Sequence, residues 1–207
     1  MRWDGRMSGV VARLGEISGV GRDSTSGGYH RLAWTGADLT LREWFAGEAA
    51  SLGLDLEVDR NGNMWAWWGD SSAADAVVTG SHLDSVPDGG SYDGPLGVAS
   101  ALAAVAELKR RGITPRRPLA VTCFTDEEGG RFGVACIGSR LAAGVLAPER
   151  ALGLKDADGI TFAEALAAAG RDPRALGAEP DRLARIGAFV ELHVEQGRGL
   201  IDMDAAI

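Results

Sequence analysis

The chain has 207 residues, 45% of them hydrophobic and 24% charged, enough to build a buried core in one or two domains. Its 29 acidic and 21 basic side chains give a formal net charge of -8 with no basic stripe, which argues against nucleic acid as a partner. The amino-terminal stretch "MRWDGRMSGVVARLGEISG" lacks the uninterrupted apolar run of a signal peptide, and no later segment reaches the apolar length of a bilayer span. A cytoplasmic protein without a membrane partner is expected.

In chain order, Leu39, Leu41, Trp44, Phe45, Ala49 and Leu52 recur at helical spacing, with Thr40 and Glu43 as a capping box and Gly53 as the stop. Residues 55–69, "DLEVDRNGNMWAWWG", read as a hairpin around a two-residue Asn61-Gly62 turn, their tryptophans serving packing. "DAVVTGSH" follows as a strand buried on both faces. A helix over 97–112 carries Lys109, Arg110 and Arg111 in its last turn and closes at Gly112, which suits the helix dipole and a left-handed stop.

"PLAVTCFT" (118–125) is a second buried strand, and a helix over 134–144 is expected after "DEEGGRFG". Thr161 and Glu164 form a second capping box ahead of Gly170, and a proline-punctuated connector with one short helix leads to a third strand, 188–197. Alternating strands and helices predict an α/β fold with a largely parallel central sheet flanked by helices. Cys123 and Cys136 lie in apolar surroundings without CxxC spacing and read as small buried hydrophobes in a reducing compartment.

Ligands of open α/β sheets gather at the carboxyl ends of the strands, and three such ends here are loaded. His82 and Asp84 follow the first strand, Asp126, Glu127 and Glu128 follow the second, and His193 sits in the third between Glu191 and Glu195. His82 and Asp84 are two apart and point the same way in extended chain, so one can bind a metal while the other takes its second ring N–H. Asp93 comes after "DGGSY", where glycines let the backbone wrap tightly and turn the carboxylate inward. Glu127 and Glu128 would repel each other, and a cation between them reverses that. Any one of these residues alone reads as a solvated loop acid or a core histidine; three agreeing strand ends favour a site. A phosphate cradle and a serine nucleophile both lack their motifs.

"GSHLDSVPDGGSYDGPLGV", "FTDEEGGRFG", "GSR" (138–140) and "ELHVEQG", in this order, resemble the hydantoinase/carbamoylase branch of the di-metal aminoacylase and carboxypeptidase superfamily. "GGYHRLAWTGADLTLREW" and "DRNGNMWAWWG" also resemble this branch and lean towards its allantoate amidohydrolases. The resemblance implies a zinc-exopeptidase-like catalytic domain holding two divalent metal ions, zinc or manganese ahead of cobalt or nickel. It implies that His82 and His193 bind the first metal, Asp93 bridges both and Glu128 binds the second. It makes Glu127 the general base, Asp84 the residue that orients His82, and Gln196 a substrate contact.

The function so implied is hydrolysis of a C–N bond in a small-molecule ureido acid, allantoate favoured over N-carbamoyl-L-amino acids. The alternatives are a metallo-exopeptidase or aminoacylase, and a non-catalytic metal-binding fragment. The second metal has only Asp93 and Glu128, since the one other histidine, His30, is read as structural. Residues 1–207 are therefore expected to be the amino-terminal part of the catalytic domain. The resemblance implies that the lid and dimerisation domain, the carboxyl-terminal part and one ligand are absent from these residues and that the full-length enzyme is a homodimer.

Overall fold

The structure is a computed structural model that describes residues 8–205; residues 1–7 of the amino-terminal stretch read above lie outside the described residues. Helices α1 (Ser8–Glu16) and α2 (Gly36–Ser51) precede strands β1 (Asp55–Val58), β2 (Met64–Trp68) and β3 (Ala76–His82). Then come α3 (Pro95–Arg110), β4 (Leu119–Phe124), α4 (Ile137–Ala142), α5 (Pro148–Leu152), α6 (Phe162–Ala168), α7 (Pro180–Leu183), β5 (Ile186–Val190) and α8 (Gly199–Asp202). The five strands form one sheet in the order β1-β2-β4-β3-β5. β3 runs parallel to both β4 and β5, whereas β1–β2 and β2–β4 are antiparallel, so the parallel part is the half that ends at the loaded loops. Among the described residues no helix is long and apolar enough to cross a membrane.

Side chains alternate across the sheet with the period of two that a strand imposes. Met64, Ala66, Val121 and Cys123 face the helical layer and meet Leu41, Phe45 and Ala49 of α2 and Val98, Leu102 and Val105 of α3. Trp65, Trp67, Ala76, Val78 and Ala120 form the opposite core, where Trp65 and Trp67 stack with centroids 6.3 Å apart. The tryptophans pack, as expected, and Trp68 lies under the Lys109 ammonium at 4.6 Å. A third cluster joins Trp34 and Phe132 to α4, α5 and α6.

Local signals located the elements better than their ends. The Thr161 capping box is present in both directions, and Gly53, Gly112 and Gly170 all adopt positive φ at helix stops. The Thr40/Glu43 box is not formed: α2 starts four residues earlier at Gly36, and the Thr40 hydroxyl donates to the Gly36 carbonyl inside the helix. The buried Asp38 carboxylate instead accepts the Trp34 N–H at 2.8 Å and fixes the entry of the chain. The hairpin exists, but Val58 pairs with Met64, so its loop is five residues long rather than two. Asp59 explains the extra length, because its carboxylate accepts the N–H groups of Asn61 and Asn63 and holds a wider turn. The helix expected over 134–144 shrinks to α4, and the connector holds a 3-10 turn (Pro173–Ala175) besides α7.

Candidate metal centre

Strands β3, β4 and β5 run parallel and bring their carboxyl ends to one edge of the sheet. His82 is the last residue of β3, Glu127 and Glu128 follow β4, and Asp93 lies two residues before α3. His193 is not in a strand: β5 stops at Val190, and just beyond it the Ser81 hydroxyl donates to the Glu191 carboxylate at 2.6 Å. The irregular chain after Val190 then lets His193 turn towards Asp93.

Two glycines make this junction close enough. Gly94, at φ 82°, lies against the His82 ring, and a Cβ there would come within 2.5 Å of the imidazole Cε1. A Cβ on Gly97 would sit 2.7 Å from both the Leu192 carbonyl oxygen and Ser81. The start of α3 can therefore press against β3 and the segment carrying His193 only as bare backbone.

The result is a concentration of acceptors. Buried His82 has Nδ1 3.0 Å from the Asp84 main-chain oxygen, and half-exposed His193 has Nδ1 2.7 Å from the Val194 oxygen. A carbonyl can only accept, so each Nδ1 carries a proton and Nε2 is the ring atom left to meet a ligand. Both Nε2 atoms meet a carboxylate: His193 Nε2 is 3.1 Å and His82 Nε2 3.9 Å from the same oxygen of Asp93. His82 Nε2 is buried with no hydrogen-bond partner. Ligand atoms of His82, Asp93 and His193 all lie within 4.8 Å of one another, the one such grouping among the described residues. An orphaned buried nitrogen facing a carboxylate and a second imidazole fits a divalent cation.

The carboxylates around it show the same lack of counter-charge. Burial, together with hydrogen bonding to and repulsion by Asp93, pushes Glu128 up to about 7. Burial also raises Asp84, against the opposing pull of His82. Asp84 works differently from the sequence expectation, since its main-chain oxygen rather than its carboxylate takes the His82 ring nitrogen, the carboxylate lying 3.7 Å away. Its two carboxylate oxygens accept the N–H groups of Glu127 and Glu128 at 3.1 and 3.0 Å. Asp84 thus joins the end of β3 to the loop after β4.

Glu127 places Oε2 3.5 Å from His82 Nε2, and its side chain is 35% exposed. Gln196 is exposed and belongs to the same segment as His193. His30 stands apart from the cluster on the surface, paired with Asp88 at 3.0 Å. Two features escaped the sequence reading. Asp126 is buried at φ 50° with neither carboxylate oxygen bonded, and burial beside the charges of Asp84 and Asp38 raises it well above the carboxylate range. Cys136, expected to be a buried hydrophobe, is only half-buried and points its sulfur at Glu127, a contact that no spacing rule signals.

The comparisons with known proteins agree with this geometry. Residues 78–205 match the profile of peptidase family M20/M25/M40. The chain is 42% identical over 189 residues to an N-carbamoyl-L-amino acid amidohydrolase of Geobacillus stearothermophilus, covering 91% of this chain and 46% of that protein. It is 34% identical to an allantoate amidohydrolase of Bacillus subtilis, covering 86% and 43%. A crystal structure of a hydantoinase/carbamoylase family amidase from Burkholderia ambifaria superposes with a TM-score of 0.84 at 37% identity, covering 97% of this chain and 47% of that one. The chain thus spans less than half the length of each of these relatives. Matched motifs, a shared fold and sequence identity over nearly its whole length place the chain in peptidase family M20/M25/M40, within the hydantoinase/carbamoylase branch.

Proposed function

We propose that this chain is the amino-terminal part of the catalytic domain of a metal-dependent amidohydrolase that cleaves a C–N bond of a small ureido or carbamoyl acid. The observation that carries the reading is the meeting of His82 Nε2, buried without a hydrogen-bond partner, with the Asp93 carboxylate and His193 Nε2. His82, Asp93 and His193 would hold one divalent ion, and Asp93 with Glu128 would contribute to a second whose remaining ligand lies outside these residues. Bound there, divalent cations supply acidification of water and polarisation of a carbonyl oxygen. Zinc or manganese suits this donor set, with cobalt and nickel as alternatives.

The chain's own side chains supply the proton handling. Glu127 takes a proton from the attacking water and passes it to the departing nitrogen, which its partial exposure at the mouth of the cluster permits. Asp84 keeps the Glu127–Glu128 backbone in register with His82. Gln196, exposed beside His193, contacts the substrate. The lid and dimerisation domain and the rest of the catalytic domain complete the enzyme as a homodimer. That part of the reading is supported by the partial coverage of the relatives and by Phe189, Val190 and Leu192, large apolar side chains left exposed in and just after the outer strand β5.

For the substrate, the segment 27–44 favours allantoate, whereas the higher identity to the Geobacillus enzyme favours an N-carbamoyl-L-amino acid. Calorimetric titration with Zn2+ and Mn2+ tests the metal reading: one tight site per chain is expected, no binding would overturn it, and two tight sites would overturn the incomplete second site. Ammonia release from allantoate, decarbamoylation of N-carbamoyl-L-amino acids and cleavage of dipeptides, measured side by side on the metal-loaded full-length protein, test the chemistry. Activity confined to dipeptides would make it a peptidase instead.

A further inference from the structure

We propose that Cys136 is a positioning residue for Glu127: its thiol holds carboxylate oxygen Oε1, so that Oε2 is left facing the histidine and aspartate cluster. The catalytic consequence rests on the reading of Glu127 as general base; the hydrogen bond itself does not.

Three observations converge on the pair. The Cys136 sulfur lies 3.3 Å from Glu127 Oε1, while Glu127 Oε2 lies 3.5 Å from His82 Nε2. The two oxygens therefore have different neighbours, a thiol on one side and the candidate metal centre on the other. The main chains of the same residues are also joined, with the Cys136 N–H donating to the Glu127 carbonyl at 2.6 Å. Finally, Cys136 adopts φ 58°, a left-handed conformation that costs a non-glycine residue energy and needs support from its surroundings.

That support is visible. The N–H groups of Cys136, Ile137 and Gly138, at the start of α4, donate in turn to the carbonyls of Glu127, Asp126 and Thr125. Helix-start amides that would otherwise lack partners are spent on the loop bearing the carboxylates. This antiparallel lacing sets the Cys136 backbone and delivers its side chain to Glu127.

The thiol is suited to holding and unsuited to attacking. Burial, with the Glu127 carboxylate close by, pushes it up to about 11, so at neutral pH it is an S–H donor and not a thiolate. Cys123, by contrast, is sealed in the core among Leu and Val side chains. A glutamate has three side-chain torsions, and one directional donor is enough to choose between its two oxygens. Serine could replace the donor; alanine and glycine could not.

The test uses the divalent-metal-loaded full-length protein with Cys136→Ser, Cys136→Ala, Cys136→Gly and Glu127→Ala variants. Glycine removes the thiol while relieving the left-handed strain, so a loss shared by alanine and glycine cannot come from misfolding of the loop. Loss of one hydrogen bond of ordinary strength predicts a fall in kcat of about tenfold for both, with KM and the serine variant within about twofold of the parent. Infrared spectroscopy reads the bond without turnover. The S–H stretching band that disappears in Cys136→Ser should lie at hydrogen-bonded frequency in the parent and move to free-thiol frequency in Glu127→Ala. Parental kcat in both the alanine and glycine variants, or an S–H band indifferent to Glu127→Ala, would overturn the proposal. If the parent hydrolyses no ureido acid, the proposed function falls, and the infrared band alone then decides the pairing of Cys136 with Glu127.

Discussion

At the hairpin loop, the buried carboxylate of Asp59 receives N–H groups from the Asn61 and Asn63 main chains, the Asn63 side chain and the Trp65 indole. Asn63 goes on to accept from Thr125 and to donate to Gly138, so the network is closed by the chain itself. At the ends of β3 and β4, equally buried groups lack such closure. His82 Nε2 and both oxygens of Asp126 have no partner, and Glu128 leans on the Asp93 carboxylate. Both regions are polar and both touch the segment from Thr125 to Gly138, yet only one balances its donors and acceptors. A buried polar cluster satisfied by its own chain serves the fold, and one left with surplus acceptors is built for something else to complete it.

Substitutions should separate the two regions cleanly, beginning with the largest effect. Asp59→Ala strands four donors in a dry turn and should cost about 3–4 kcal/mol in urea unfolding, with metal affinity per folded chain unchanged. If that change weakened metal binding as strongly as it weakened the fold, the two regions would be one unit. His82→Ala should do the reverse. Removing even a residue that only orients a metal ligand typically costs 10- to 100-fold in affinity, so loss of the ligand should weaken Zn2+ binding by about 100-fold or more in calorimetry.

Adding metal to the parent chain provides the third comparison. A ligand at about 100 times its Kd stabilises the state that binds it by about 2.7 kcal/mol, which for a chain of this size predicts a rise in Tm of roughly 5–10 °C. Scanning calorimetry of Asp93→Asn should show this rise largely gone, and an undiminished rise would move the site elsewhere. The smallest effect belongs to a feature remote from both clusters. Thr161→Ala removes the formed capping box of α6 and should cost about 1 kcal/mol without changing metal binding. A larger loss would mean that α6 props up the site through the cluster it shares with Phe132 and Ile137.

The grouping of His82, Asp93 and His193 into a candidate site was legible because its chemistry is written in residue types that strands and turns rarely collect by chance. His82 and His193 lie far apart in sequence, but each follows an apolar run that parallel strands deliver to one edge, and the glycine-rich turn after β3 brings Asp93 to the same place. What Asp84 does was not legible. Spacing says that it points the same way as His82, but whether its carboxylate or its carbonyl meets the ring depends on how the chain bends at Leu83 and on the two amides arriving from β4. Similarly, Asn61-Gly62 announced a hairpin, but the demand of buried Asp59 for donors widened its loop. Thr40 and Glu43 matched a capping box in letters only, since the chain is already helical from Gly36, where Asp38 takes the Trp34 N–H, and the Thr40 hydroxyl donates to the Gly36 carbonyl.

The sequence by itself determined the α/β class, the positions of the long elements and the set of metal-competent side chains, because hydrophobic period, helix stops and ligand chemistry are local properties of the chain. Only the tertiary structure decided that β2 runs antiparallel to both its neighbours, that β5 ends before His193 and that Cys136 meets Glu127. Each of these depends on a neighbour distant in sequence: the strand beside it, the hydroxyl of Ser81, or the amides at the start of α4.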